Sequence, residues 1–319
     1  MTDPNAAASG AALTEHAGEF VTAPETGGEP GKPRGLFGDA WRELRRRPMF
    51  WISSALIVLV LVMAAFPQLF TSVDPTVGDL ARQRQGPSAQ AWFGYDNQGY
   101  DIYARVIHGA RASIVVGLLA TIGAVLLGGV LGIVGGFYGG WLDTIASRIA
   151  DIFFGLPFVL GAIVILTTLN AAGNAGAARI VIQVVLSIAV LSWPVSMRIM
   201  RSTAITAKQQ DYVKAAKALG ASGWRIIVRH LLPNCLAPVL VYSTIALGAF
   251  IALEATLSYL GIGLRAPVVS WGVMINDARN YIRAAPHLLL FPAGFLTMTV
   301  LAFVMLGDAI REALDPKAR

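Results

Sequence analysis

Few residues of this 319-residue chain are spaced for bond-making chemistry. The four histidines, His16, His108, His230 and His287, are scattered and lack the H-E-x-x-H spacing that puts two imidazoles on one helix face. The single cysteine, Cys235, excludes an intrachain disulfide and a thiolate-rich metal site, and is expected to act as a small apolar side chain. Gly261, Gly263 and Ala266 form a G-x-G-x-x-A pattern, but they follow an apolar run instead of opening a strand-to-helix unit, so no dinucleotide cradle is expected. No stretch matches G-x-x-x-x-G-K-[ST], the loop that wraps ATP phosphates. The chain is therefore assigned no catalytic residue, cofactor or metal. One ionisable group stands apart: Glu254 lies within an apolar run, where an unpaired carboxylate is costly. It is a candidate pathway or gate residue, with Arg265 or Arg279 as partners, or else a cap at a water interface. Trp271 is placed beside it as a gate candidate, although Trp271 and Trp51 also suit an interfacial aromatic belt.

The elements that must position these groups are set by composition. Hydrophobic residues make up 55% of the chain and charged residues 14%, against roughly 25% charge in an average soluble domain. That imbalance describes a protein solvated by lipid. The net charge of +6 sits beside apolar runs, which argues for membrane orientation and contact with lipid and against nucleic acid. Residues 1 to 34 are rich in Ala, Gly, Pro, Thr and Glu without apolar periodicity, and are expected to form a disordered cytoplasmic tail.

A hydrocarbon layer of about 30 Å takes roughly 20 apolar helical residues. That ruler gives six candidate spans: Met49 to Phe66, Ser113 to Phe137, Ile152 to Leu169, Ala178 to Met197, Leu236 to Leu260 and His287 to Leu306. Arg42, Arg45, Arg46 and Arg47 precede the first span, and the segment 198–235 carries Arg198, Arg201, Lys208, Lys214, Lys217, Arg225 and Arg229 against the one acid Asp211. The positive-inside rule makes both segments cytoplasmic, with both chain ends on that side. The loop from Pro67 to Ala112 then faces outward, long enough for a small ordered cap. The chain divides into the tail, a first span with its outer loop over 35–112, and a transmembrane domain over 113–319. Nothing alternates like barrel strands, so the expected fold is all-α.

Ala120, Ala124, Gly128, Gly132, Gly136 and Gly140 recur every four residues, a stripe of small side chains suited to close helix contact. Pro157 and Pro194 each remove a backbone donor from a span and can bend it. Within 198–235, Asp211 is expected to cap a helix over Tyr212 to Leu219, Gly220 to end it in the left-handed conformation, and Ser222 to cap a second short helix leading to Pro233 and Pro238. Ala215, Ala216, Ala218 and Gly220 leave the hairpin slim enough to enter a protein groove. Its basic residues suit an anionic lipid surface equally well.

The residues Lys214-Ala215-Ala216-Lys217-Ala218-Leu219-Gly220, followed after nine residues by His230-Leu231-Leu232-Pro233, resemble the Glu-Ala-Ala loop of ABC importer permeases, with Lys214 in place of Glu and His230 in place of Ile. Phe93-Gly94-Tyr95-Asp96-Asn97-Gln98-Gly99-Tyr100-Asp101 with Arg105 and His108 to Arg111, Glu254 through Gly263 with Ser270-Trp271-Gly272, and Leu306-Gly307-Asp308 through Leu314-Asp315-Pro316 resemble the C-type permease of the dipeptide, oligopeptide and nickel importers. The resemblance implies a type I importer permease fold and a non-catalytic transport subunit for di- or oligopeptides. It also implies a second permease, an extracytoplasmic binding protein, and two cytoplasmic ATPase domains that hold ATP and Mg and dock on Lys214, Ala215, Ala216, Ala218, Leu219, Gly220 and Pro233. A proton-driven secondary transporter would be expected to show mid-membrane relay residues and inverted repeats, and a membrane scaffold would not need the capped hairpin.

Overall fold

The computed structural model describes residues 36–170 and 176–314; the expected tail over 1–34 and the residues Asp315 and Pro316 lie outside them. Among the described residues the regular elements are helices, with one isolated bridge between Tyr95 and Asp101. In chain order the helices are α1 (Leu36–Arg46), α2 (Pro48–Ala65), α3 (Ile102–Tyr138), α4 (Gly140–Gly155), α5 (Phe158–Asn170), α6 (Ala177–Lys208), α7 (Asp211–Ala218), α8 (Gly223–Ile226), α9 (Leu232–Tyr259), α10 (Trp271–Ala278) and α11 (His287–Leu314).

Among the described residues, five runs are long and apolar enough to cross a membrane: α2, α3, α6, the continuous run Gly223–Tyr259, and α11. A sixth crossing is available only if α4 and α5 together make one span, and they meet at 96°. The break falls where the sequence places Pro157. Proline crowds the residue before it out of the helical region, and Leu156 is accordingly extended, with φ −85° and ψ 122°. Pro194, by contrast, is accommodated inside an uninterrupted α6.

Other boundaries move outward from the expected spans. Helix α3 starts at Ile102 instead of Ser113 because the Asp101 carboxylate accepts from the Ala104 N–H at 2.8 Å, capping the first turn. Helix α6 continues past Met197 to Lys208, so Arg198 and Arg201 belong to a helix and not to the loop. Helix α11 runs beyond Leu306 to Leu314, so Asp308 is an interior helical residue.

Helix α6 is the central post: 61% of its most apolar window is buried, against 28% for α2, the Gly223–Tyr259 run and α11. Side chains such as Val58, Leu126, Val130, Leu160, Val164 and Leu290 remain more than half exposed. So much open apolar surface is stable only against lipid or another protein. One core joins α2, α3, α9, α10 and α11 around Ile102, Ile251, Trp271 and Ala302; a second joins α3, α5, α6 and α9 around Val116, Ile188 and Phe250.

The connection from Pro67 to Asp101 is folded. It carries two short 3-10 turns, stacks Phe93 on Phe291 of α11 at 3.9 Å, and pairs Asp96 with Arg105 of α3 at 2.5 Å.

Candidate functional site

The hairpin begins where α6 stops. Helix α7 has Gln210 as its N-cap, with an extended backbone and no side-chain cap bond. The expected cap, Asp211, is instead the first helical residue, and its carboxylate accepts from Lys214 at 3.0 Å. An acid in the first turn still favours the helix through its dipole. The end of α7 follows expectation. Gly220 has φ +79°, its N–H donates to Lys217 O at 3.0 Å, and the Ala221 N–H donates to Ala216 O at 3.0 Å. These are the paired bonds of a Schellman ending, which satisfy carbonyls left open at the helix terminus. The Ser222 hydroxyl then accepts from the Arg225 N–H at 3.4 Å and starts α8.

Only Val213 of α7 is buried, in a core formed by Ile133, Met200, Ala204, Ile226, Ile227, Leu231 and Cys235. Lys214, Ala215, Lys217, Ala218 and Gly220 are exposed, Ala216 is half-buried, and Leu219 is 88% exposed. A Cβ added at Gly220 would meet nothing within 4 Å. The hairpin is thus anchored from below and bare on top. Its second arm does not stop before the next span: α8 passes through one π-helical turn, Ile227–Leu231, directly into α9, with Pro233 exposed in the first turn of α9.

The support beneath this hairpin is the α3–α6 contact. A Cβ at Gly128 would lie 2.3 Å from Trp193 O, one at Gly132 2.5 Å from Met197 O, and one at Gly136 2.9 Å from Arg201 O. The Ser196 hydroxyl donates across the same seam to Ala124 O at 2.7 Å. Gly140 departs from the expected stripe. Helix α3 ends at Tyr138, Gly139 and Gly140 both have positive φ, and a Cβ at Gly140 would meet nothing within 4 Å. It is a turn residue that starts α4, not a packing residue. Two acids of α4 that the loop's charge tally leaves out face α6: Arg201 donates to Asp143 at 2.5 and 2.7 Å, and Arg198 to Asp151 at 2.7 Å.

Glu254 and Trp271 are fully buried within the chain. The carboxylate accepts from the hydroxyls of Ser113 at 2.9 Å, Ser258 at 2.8 Å and Ser270 at 3.0 Å, rather than from Arg265 or Arg279. It therefore ties α3, α9 and the N-terminus of α10 together. Trp271 is not at an interface: its indole N–H donates to Val106 O at 3.0 Å from inside the first core. Sequence reasoning flagged Glu254 but missed its serines; Ser113, Ser258 and Ser270 are too far apart in the chain to be read as one cluster.

A cavity of about 490 Å³ lies nearby, lined by Gln98, Tyr100, Arg105, Asn276 and Asp277 among others. Burial pushes the Asp277 carboxyl above its ordinary value, outweighing the opposite pull of Arg105. A raised carboxylate value means that Asp277 favours folding most at low pH and loses that contribution as pH rises through the shifted value. Asp277→Asn should flatten this part of the stability profile, as read by thermal melts across the weakly acid range.

Residues 128–319 match the family described as binding-protein-dependent transport system inner membrane component, and residues 35–87 match the N-terminal TM domain of oligopeptide transport permease C. The dipeptide transport system permease protein DppC of Alkalihalophilus pseudofirmus is 37% identical, covering 96% of this chain and 99% of that one. The glutathione transport system permease protein GsiD of Pectobacterium atrosepticum is 36% identical, covering 88% and 92%. A solved amino acid ABC transporter matches at 16% identity and a TM-score of 0.49 over 64% of this chain and 91% of that one. More than half of the chain thus carries the family's pattern, and the chain belongs to it: this is a multi-pass membrane permease subunit of an ABC importer, with ATP hydrolysed on separate ATPase subunits.

Proposed function

We propose that this permease forms half of a pathway for short peptides and that its α7–α8 hairpin is the part that ATPase subunits push. The observation that carries the reading is the hairpin itself, closed by a Schellman ending, rooted through Val213, and exposed along Lys214, Ala215, Ala218, Leu219 and Gly220. A rigid protrusion transmits displacement, whereas a slack loop would absorb it. The basic segments before α2 and around the hairpin favour an orientation with both ends of the chain cytoplasmic. The other half of the pathway is a homologous second permease. An extracytoplasmic binding protein delivers substrate at the opposite end, and two ATPase domains carry ATP and Mg. Relatives named for dipeptide and glutathione transport favour a short peptide. Alternating access then needs an ATPase state that binds the hairpin more tightly in one arrangement of the helices than in the other.

Gly220→Trp places a bulky side chain, at positive φ, on the docking face. The expected result is normal membrane insertion with loss of peptide uptake and of substrate-stimulated ATPase activity in the reconstituted complex. Full retention of both would remove the hairpin from the coupling route.

A further inference from the structure

Helix α1 ends one residue before the first span opens at Pro48. Leu44 is buried against Ala309 and Ala313 of α11, with Phe50 and Ile310 packed beside them. The other side of the helix is open. Arg42, Arg45 and Arg46 are exposed, as are Trp41 at 51% and Trp51 at 53%. Two acids close by, Glu43 and Glu312, both pair with Arg47. Among the described residues, no carboxylate is paired with Arg42, Arg45 or Arg46.

The arginines and indoles form one patch. The Arg45 guanidinium lies 6.0 Å from the Trp41 ring centre, and the Trp51 indole N–H donates to Arg45 O at 3.1 Å. This patch stands where hydrocarbon must give way to water, because the exposed side chains that follow, Met49 and Ile52, are apolar. Guanidinium groups without counter-ions match phosphate oxygens, and indoles sit at headgroup depth. An acidic protein surface would satisfy the arginines too. It would not account for indoles continuous with the apolar, lipid-facing side of α2.

We infer that α1 is a binding surface for anionic phospholipid headgroups, anchoring the joined ends of α2 and α11 to lipid charge. This goes beyond the transport reading and does not depend on it. A basic residue close to an anionic surface contributes about fivefold in partition, so loss of all three arginines should be readily measured.

The complete complex is placed in mixed phosphatidylglycerol and phosphatidylcholine vesicles, extracted, and its retained lipids are weighed by native mass spectrometry. Wild type should retain phosphatidylglycerol preferentially. The R42Q/R45Q/R46Q variant should lose that preference by about tenfold or more, and R42K/R45K/R46K should keep most of it. An unchanged ratio in the glutamine variant overturns the proposal, whether the arginines serve only to orient the chain or a partner protein covers them. A wild-type arm guards against failed insertion of the variants: photoactivatable phosphatidylglycerol should crosslink to peptides spanning Trp41 to Trp51. The absence of such adducts in wild type also overturns the proposal.

Discussion

Gly128→Ala should sharply lower the melting temperature and yield of the folded permease, whereas Gly129→Ala should leave both nearly unchanged. At position 128 the new methyl carbon would sit 2.3 Å from both the Ser196 hydroxyl and Trp193 O and 2.7 Å from Met197 N, so besides one side chain it meets the backbone of α6. At position 129 the same carbon meets only the Met200 methyl group at 3.6 Å, an ordinary contact. Overpacking of a well-fitted core typically costs about 1–3 kcal/mol and occasionally more. The upper end is expected here because relief requires α3 and α6 to separate. Thermal unfolding of the two detergent-solubilised variants, side by side, provides the check. Equal melting temperatures would mean that the seam is looser than its geometry indicates.

Glu254 should give the second large effect. Each of its three serines is already spoken for on the acceptor side: the Ser113 oxygen accepts from Trp271 N–H at 3.4 Å, the Ser258 oxygen from Leu264 N–H at 2.9 Å, and the Ser270 oxygen from Val273 N–H at 3.3 Å. All three hydroxyl protons can therefore be directed at the carboxylate. Glu254→Ala leaves those donors buried without an acceptor, at about 1–3 kcal/mol for each group not rescued. Glu254→Gln keeps one acceptor oxygen but points an amide N–H₂ toward a hydroxyl that is itself donating. The expected order of stability is wild type, then Gln, then Ala, with the alanine variant losing about 3 kcal/mol or more. An alanine variant that melts with wild type would show that the cluster contributes little to the fold. A stable variant with impaired uptake would instead return Glu254 to the pathway.

The sequence made the periodic and local features legible, and obscured what depends on distant partners. Apolar run length located five of the six expected spans, the one from Ile152 to Leu169 falling across the α4–α5 break. The small residues at 128, 132 and 136 announced a close seam because four-residue spacing keeps them on one helix face. Gly220 was readable because an ending in the left-handed region is a local requirement. Gly140 misled because spacing alone does not reveal that the helix has already ended at Tyr138. The N-cap position expected of Asp211 falls to Gln210, whose side chain makes no cap bond, because α7 starts one residue earlier, a shift too small for composition to register. The ion pairs of Arg198 and Arg201 were hidden because their acids lie on α4, some fifty residues earlier in the chain. Trp271 has the residue type of a belt, yet its burial is decided by the fold of α10 against α3.

The π-turn at Ile227–Leu231 has a mechanical meaning. Because it splices α8 onto α9, no slack joint separates Ser222 from Tyr259. The helical run Gly223–Tyr259 has 37 residues, which at 1.5 Å per residue is a rod of about 55 Å. One tip carries the hairpin proposed as the ATPase contact, and the other holds the carboxylate to which two neighbouring helices are moored. On that proposal, a tilt imposed at the first tip would arrive at the second as a tug on that mooring, with α9 as the tiller.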